Sequence, residues 1–233
     1  MKYFIALLLG AAVGAAVFIV AVAYNPLLET QQVSPLTVTD ARTAVFSYSA
    51  VPSDNLVLTN DGLQRRDPWP EDVLQLWERP IRQSEVMATV LHDARNQPAG
   101  LGIKFSSSSE RTRVLNGELL VDSAWYIYVP GRGSLFVEQY ENYWDYTRDI
   151  VIPAYRSSAN AWKGNWLGNL TAGPGSLRTA RVTGGSGEFA GHEMIGSESL
   201  IMKVWSVDDG AALAEGRLII ELPEIDVTDA DQT

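Results

Sequence analysis

The chain of 233 residues contains no cysteine. This absence excludes disulfide bonds, thiolate nucleophiles, thiolate metal sites and the lipidated cysteine of a bacterial lipoprotein. Stability must therefore come from the burial of apolar side chains, which make up 46% of the residues. Because about 200 residues follow the N-terminal segment, one core of ordinary size is feasible, and we expect one domain.

Basic residues are also scarce, with 18 Lys and Arg against 28 Asp and Glu. Removing residues 1–24 takes away one lysine and no acid, so the remainder carries a formal charge of −11. An acidic domain repels phosphate groups, and no long basic run offsets this. We therefore predict neither nucleic-acid binding nor attachment to an anionic lipid surface.

Motifs of known catalytic or metal chemistry are absent from the sequence. There is no G-x-S-x-G elbow, and the two histidines, His92 and His192, have no second obvious ligand nearby in sequence. His192 precedes Glu193, but adjacent residues on a strand point to opposite faces, which disfavours an acid–base pair. We predict no metal and no cofactor.

One long apolar run does occur, at residues 4–23. Its twenty residues carry no charge and reach about 30 Å as a helix, which matches a bilayer core. Lys2 precedes the run and the next basic residue is Arg42, so the positive-inside rule predicts a single-pass membrane protein with a cytoplasmic N-terminus. The bilayer is thus a partner, and the domain is extracytoplasmic, or periplasmic in a Gram-negative bacterium. Alternatively, residues 1–24 are a signal peptide cleaved at Ala23, and the domain is secreted.

The remaining chain divides by composition into three parts. Residues 25–40 are polar and interrupted by proline, which indicates a linker. Residues 41–223 contain short apolar runs separated by Asn-, Gly- and Pro-rich turns, which indicates an all-β domain. Residues 224–233 carry four acids and no base, which predicts an acidic, flexible tail.

Within the domain, apolar alternation predicts strands that are apolar on both faces in places. Trp125, Ile127 and Val129 alternate with Tyr126 and Tyr128. The exception is residues 69–80, where Pro at the start, two early acids and a final Arg-Pro predict one short helix that packs on the domain.

Residues 181–191, RVTGGSGEFAG, resemble the terminal hairpins of the allene oxide cyclase and dirigent superfamily. In that superfamily a GGTG-x-F or GTG-x-F-x-G signature joins strands of an eight-stranded antiparallel barrel. The resemblance covers about 60 residues and implies a calycin-like barrel with an apolar interior that holds a small hydrophobic molecule. The catalytic residues of the superfamily have no matching positions here, so a cavity is implied and a reaction is not.

The glycines of this hairpin have predicted roles. Gly184, Gly185 and Gly187 supply positive φ for a tight turn, while Gly191 admits a close neighbour. Phe189 would then close one end of the barrel. A further glycine, Gly196, lies two positions later than in the superfamily pattern, which predicts a bulge or a shifted register there.

An aromatic strip at residues 136–146, FVEQYENYWDY, supplies the candidate site. On a regular strand Phe136, Glu138, Tyr140 and Trp144 share one face. Aromatic rings beside a carboxylate stack on a ligand and raise the carboxyl pKa, so these four residues are the predicted ligand-binding residues. The alternative is that the strip only packs against the domain.

Three functional hypotheses follow. The first is a membrane-anchored, extracytoplasmic β-barrel that binds a small, mainly apolar molecule. The second is a cyclase- or isomerase-type enzyme in which Glu138, Tyr140 or His192 assists a proton transfer in the barrel cavity. The third is a non-catalytic envelope scaffold whose protein partner the sequence does not identify.

Overall fold

A computed structural model describes residues 2–23, 42–59 and 84–222 of the chain. The linker, the helix predicted at 69–80 and the acidic tail lie outside these ranges. The described elements, in chain order, are α1 (Lys2–Ala23), β1 (Arg42–Ser49), β2 (Leu56–Thr59), β3 (Ser84–His92), β4 (Pro98–Ser108), β5 (Leu120–Val129), β6 (Gly133–Asn142), α2 (Trp144–Tyr146), a π-helical turn (Thr147–Val151), α3 (Ile152–Arg156), β7 (Ala161–Asn169), β8 (Thr171–Gly173), β9 (Ala180–Gly187), β10 (Glu193–Ser206) and β11 (Gly210–Leu222).

The α1 helix is apolar after its first residue, Lys2. Residues Tyr3–Val20 are long and apolar enough to cross a membrane, and a signal sequence has the same properties. The helix therefore fits both the anchor and the cleaved leader predicted from sequence.

The strands form one antiparallel sheet, which confirms a mostly β domain. Their order is β1-β11-β10-β9-β6-β5-β4-β3-β2, with β7 added to β10 and β8 added to β6. In addition, Ser47 of β1 pairs with His92 of β3. Strand pairing thus leads from β1 through β11 and around to β3, and then back to β1.

Because successive side chains of a strand point to opposite faces, one face of this sheet is buried. In β5, Trp125, Ile127 and Val129 are at most 4% exposed, while Tyr128 on the opposite face is 44% exposed. This confirms the predicted alternation. Two clusters of buried side chains result, one around Leu91, Trp125 and Leu135, and another around Ile150, Leu170 and Met202.

The glycine hairpin differs from its prediction in three respects. Only Gly187 and Gly191 have positive φ, at 63° and 76°. Gly184 is instead required by close approach, because a Cβ there would overlap the carbonyl oxygen of Phe189. Among the described residues, and apart from its own chain neighbours, no atom lies within 4 Å of a Cβ built on Gly191, so its role is conformational and not to admit a neighbour.

Gly196 also differs from its prediction. It pairs in unbroken register with Ala180 of β9 and Ile220 of β11. The register shifts of β10 fall between Met202 and Trp205 instead. Neither a bulge nor a shifted register is therefore present at Gly196.

Candidate functional site

Three charged side chains lie on the buried face of the sheet. Lys104 of β4 is 7% exposed, while Glu141 of β6 and Glu198 of β10 are completely buried. Each occupies a position that the strand alternation directs inward, where apolar residues are otherwise found. Burying an unpaired charge is costly, so these groups require partners. We call Lys104, Glu141 and Glu198 the charged cluster.

Lys104 lies between the two carboxylates. Its Nζ atom is 2.6 Å from Oε1 of Glu141 and 2.8 Å from Oε1 of Glu198. The ammonium also lies 5.3 Å from the centre of the Trp125 ring, within range of a cation–π interaction. One cation is therefore shared by two carboxyl groups.

Glu198 accepts hydrogen bonds on both oxygens. Its Oε1 accepts from the Tyr48 hydroxyl and from Lys104. Its Oε2 accepts from Trp125 Nε1, at 2.9 Å, and from the Gln139 amide. All four acceptor positions of this carboxylate are therefore occupied.

Glu141 is held less evenly. Its Oε1 accepts from Lys104, from Ser123 Oγ at 2.5 Å and from Gln139 Nε2 at 2.9 Å. Its Oε2 accepts from the Tyr143 hydroxyl at 2.7 Å. The two oxygens thus differ in the number and kind of their donors.

Thr171 of β8 fixes the orientation of Gln139. Thr171 Oγ1 accepts the backbone N–H of Glu198 at 2.7 Å and donates its own proton to Gln139 Oε1 at 2.7 Å. The amide nitrogen of Gln139 must then face the two carboxylates. A network with every member satisfied is rigid, which holds the charged cluster in one geometry.

The two carboxyl groups have opposite pKa shifts. Burial raises the pKa of Glu141 above its usual value, although the charge of Lys104 opposes this shift. Burial acts on Glu198 too, but the charge of Lys104 and the hydrogen bonds from Lys104, Tyr48 and Trp125 bring the pKa of Glu198 below its usual value. The carboxylates in turn outweigh the desolvation of Lys104 and raise its pKa well above normal.

Three of the four predicted ligand-binding residues lie on the outward face of β6. Phe136 is 50% exposed and its ring lies 5.1 Å from that of Tyr126. Glu138 is exposed and lies 3.4 Å from Arg181. The ring of Tyr140 lies 4.0 Å from the guanidinium of Arg111. The predicted shared face is therefore present for these three residues.

Trp144 does not continue that face. Strand β6 ends at Asn142, whose Oδ1 accepts the backbone N–H of Trp144 at 3.0 Å, and Trp144 begins a helix. Trp144 is 6% exposed, so it packs inside the domain. The prediction that one strand carries all four residues is therefore wrong, because the Asn142 side chain redirects the backbone.

A groove of about 400 Å³ lies where the early residues of β3 and β5 run beside the late residues of β4 and β6. We call it the β3–β6 groove. Its lining combines apolar and polar side chains and includes Val86, Phe105, Arg111, Ala124, Glu138 and Tyr140. Ser123 and Gln139, which donate to Glu141, also border it. The groove and the charged cluster are thus adjacent.

His192, the third residue of the predicted enzyme site, is exposed just before β10 and does not border this groove. Within the described ranges, no three His, Asp or Glu side chains are grouped to hold a metal ion. The hydroxyl, amide and carboxyl groups of the charged cluster and its neighbours can form hydrogen bonds and exchange protons.

The charged cluster was missed by sequence analysis, although a signal for it exists. Extending the buried alternation of Leu135 and Val137 by two steps leads to Gln139 and Glu141 on the same face. A carboxylate that continues an apolar row is typical of a buried polar site.

No family model matches the chain, and no curated protein matches it. The predicted resemblance to the allene oxide cyclase and dirigent superfamily therefore stays a prediction. Among solved structures, the chain is similar to AbnU, described as an exo-specific intermolecular Diels-Alderase, with 13% identity, a TM-score of 0.39 and coverage of 77% of this chain and 96% of that one.

Two further structures are similar at the same level. One is a nonspecific heme-binding cyclase that catalyses a cycloaddition during neoabyssomicin biosynthesis, with 10% identity, a TM-score of 0.38 and coverage of 79% of this chain and 70% of that one. The other is the Diels-Alderase AbmU from Streptomyces koyangensis, with 11% identity, a TM-score of 0.37 and the same two coverages of 79% and 70%. Similarity this low supports no assignment of function, so the proposals below rest on the residues of this chain.

Proposed function

We propose that this chain is a membrane-anchored, extracytoplasmic eight-stranded β-barrel that binds a small, mainly apolar molecule. The barrel is supported by the strand pairing, which forms one closed ring through β1, β11, β10, β9, β6, β5, β4 and β3 and back to β1. The anchor and its direction are supported by the apolar α1 helix and the early Lys2. The β3–β6 groove is the observation that carries the binding function.

The groove combines the two features that small-molecule sites need. Its apolar surface comes from Val86, Phe105 and Ala124, and its volume of about 400 Å³ lies within the range of such sites. Phe105 is 51% exposed, so its ring is available to a ligand. A molecule that covered this ring would be stabilised by the burial of apolar surface.

Polar groups at one end of the groove would fix the orientation of the ligand. Nη2 of Arg111 lies 2.6 Å from Oδ1 of Asp122, and the guanidinium is stacked over the Tyr140 ring. The guanidinium is therefore already positioned. Glu138 borders the same groove. Two of the four residues predicted from sequence, Glu138 and Tyr140, are thus part of the proposed site.

Native mass spectrometry of the full chain in detergent tests this proposal. We expect a co-purified small molecule in the wild-type protein and its loss in Ala124→Trp, whose larger side chain would fill the groove. Leu167→Trp is the matched control, because Leu167 is exposed on β7 away from the groove and the variant should retain the molecule. A wild-type protein without a bound molecule, or equal loss in both variants, would contradict the proposal.

A second candidate is a cyclase- or isomerase-type enzyme that acts by proton transfer. It is favoured by the charged cluster, since two carboxyl groups with pKa values shifted in opposite directions are a common arrangement of a catalytic acid and its charged partner. Ser123 and Gln139 connect this cluster to the groove.

Deuterium exchange separates the enzyme from a simple binding protein. After incubation in D₂O, the molecule recovered from an enzyme would carry deuterium at a carbon atom. The molecule recovered from Glu141→Gln would carry none. Absence of deuterium from the wild-type sample would contradict the enzyme candidate.

A further inference from the structure

The charged cluster contains more acid than base. Lys104 supplies one positive charge, whereas Glu141 and Glu198 would supply two negative charges if both were ionised. The other titratable groups facing the cluster are the hydroxyls of Tyr48 and Tyr143, which are neutral. Outside the cluster, Glu85 of β3 also interacts with Lys104 and adds only negative charge. A buried site with an uncompensated negative charge is stabilised by taking up one proton.

Hydrogen-bond capacity indicates which carboxyl group has no room for that proton. On Glu198, Oε2 faces Trp125 Nε1 and the Gln139 amide nitrogen, and neither can accept a hydrogen bond. Its Oε1 accepts from both the Tyr48 hydroxyl and the Lys104 ammonium, so a proton placed there and directed at Tyr48 would weaken the charge-assisted hydrogen bond from Lys104. The Thr171 hydroxyl donates to Oε1 of Gln139 and so fixes the orientation of this amide. Rotating the amide would instead place Oε1 of Gln139 against Oε1 of Glu141, and two acceptors would face each other. Glu198 is therefore held as a carboxylate.

Glu141 differs at its Oε2 atom. The partner there is the Tyr143 hydroxyl, at 2.7 Å, and a hydroxyl accepts as well as it donates. A proton on Oε2 needs only rotation of the Tyr143 O–H bond, with every other donor of the cluster left in place. The added proton makes the total charge of Lys104, Glu141 and Glu198 zero.

We propose that Glu141 binds a proton on Oε2 at neutral pH and is the proton donor of this site, with Tyr143 as the acceptor of its hydrogen bond. This inference extends the enzyme candidate and does not depend on whether the groove binds a ligand. Transfer of this proton to a substrate breaks the Oε2–H bond and leaves Glu141 as a carboxylate that is already in contact with Lys104.

Infrared spectroscopy of the full chain in detergent at pH 7 tests the assignment without any ligand. We expect the C=O stretching band of a neutral carboxylic acid in the wild-type protein. Because the acid hydrogen-bonds to Tyr143, Tyr143→Phe should shift this band to higher frequency. Tyr48→Phe is the matched control, since Tyr48 contacts only Glu198 within the cluster, and it should leave the band in place.

Two results would overturn the proposal. The first is the absence of a neutral acid band at pH 7 in the wild-type protein. The second is a band that shifts in Tyr48→Phe and not in Tyr143→Phe, which would assign the proton to Glu198. Should either variant fail to fold, the wild-type protein labelled with ¹³C at the glutamate carboxyl carbon decides the question of protonation, because one neutral glutamic acid must be visible at pH 7.

Discussion

Removing the cation of the charged cluster is the most direct test of its energetics. Lys104→Met keeps the length and apolar stem of the side chain but deletes the ammonium that lies 2.6 Å and 2.8 Å from the two carboxylates. Deleting one partner of a buried ion pair costs about 3–5 kcal/mol, because the other partner stays buried without its counter-charge. With a urea m-value of about 2 kcal/mol/M, the unfolding midpoint should fall by about 1.5–2.5 M.

The double variant Lys104→Met/Glu198→Gln is the matched control. It removes the cation together with the carboxylate that is held ionised, so no uncompensated charge remains. We expect it to regain at least about half of the lost stability, since replacing a whole buried ion pair is far less costly than breaking one. Urea unfolding followed by tryptophan fluorescence measures both variants. A loss below about 1 kcal/mol in the single variant, or no recovery in the double one, would refute the reasoning.

The loss in Lys104→Met should also depend on pH. Without the ammonium, burial raises the pKa of both glutamates in the folded protein above the unfolded value of about 4.3. The folded state then binds more protons than the unfolded state, so stability falls as pH rises from the unfolded to the folded pKa. The variant should therefore be less destabilised at pH 5 than at pH 8. An equal loss at both pH values would contradict this expectation.

Three further predictions concern single positions. Gly184→Ala should prevent folding or cost more than about 3 kcal/mol, because its Cβ would overlap the Phe189 carbonyl, whereas Gly191→Ala should cost only about 1–2 kcal/mol for its positive φ; thermal unfolding distinguishes them. Burial, and then the neighbouring carboxylate, raises the pKa of Tyr143 well above its usual value. Folding stability should therefore fall as pH rises above about 10, and it should fall less steeply in Tyr143→Phe. Urea unfolding of both proteins at pH values below and above about 10 measures this difference. Trp125→Phe should lose about 2 kcal/mol in urea unfolding, because a buried carboxylate loses the indole hydrogen bond of 2.9 Å; an unchanged midpoint would show that this bond contributes nothing.

The strands were predictable from sequence where the alternation of apolar residues follows the burial of each side chain. Trp125, Ile127 and Val129 follow a period of two, and the structure buries all three. The β6 strand was predicted to run too far, because Trp144 fits the alternation and the backbone-capping role of Asn142 depends on a turn that the alternation does not encode. Local pattern therefore identified the strand, whereas a single side-chain hydrogen bond determined its end.

The candidate site was less predictable because its members come together only through strand order. Lys104, Glu141 and Glu198 lie on β4, β6 and β10, and no sequence spacing relates them. Glu138 and Tyr140 were found because aromatic side chains mark a surface strip on one strand. A buried charge is recognised only when its partner is known, and that partner lies on another strand.

The pairing of β1 with β11 has a consequence for how the chain matures. Arg42 pairs with Leu222, and the rest of β1 follows in register, whereas its other neighbour, β3, contributes a single pair at Ser47. Strand β1 therefore gains its full set of backbone partners only after β11 has been synthesised. Contacts of such long sequence separation form slowly. A chain that stops before Gly210 would leave β1 and β10 as open edges, which attract other strands. Closure by β11 thus links completion of the chain to its protection, because only a chain that includes β11 covers these edges of β1 and β10.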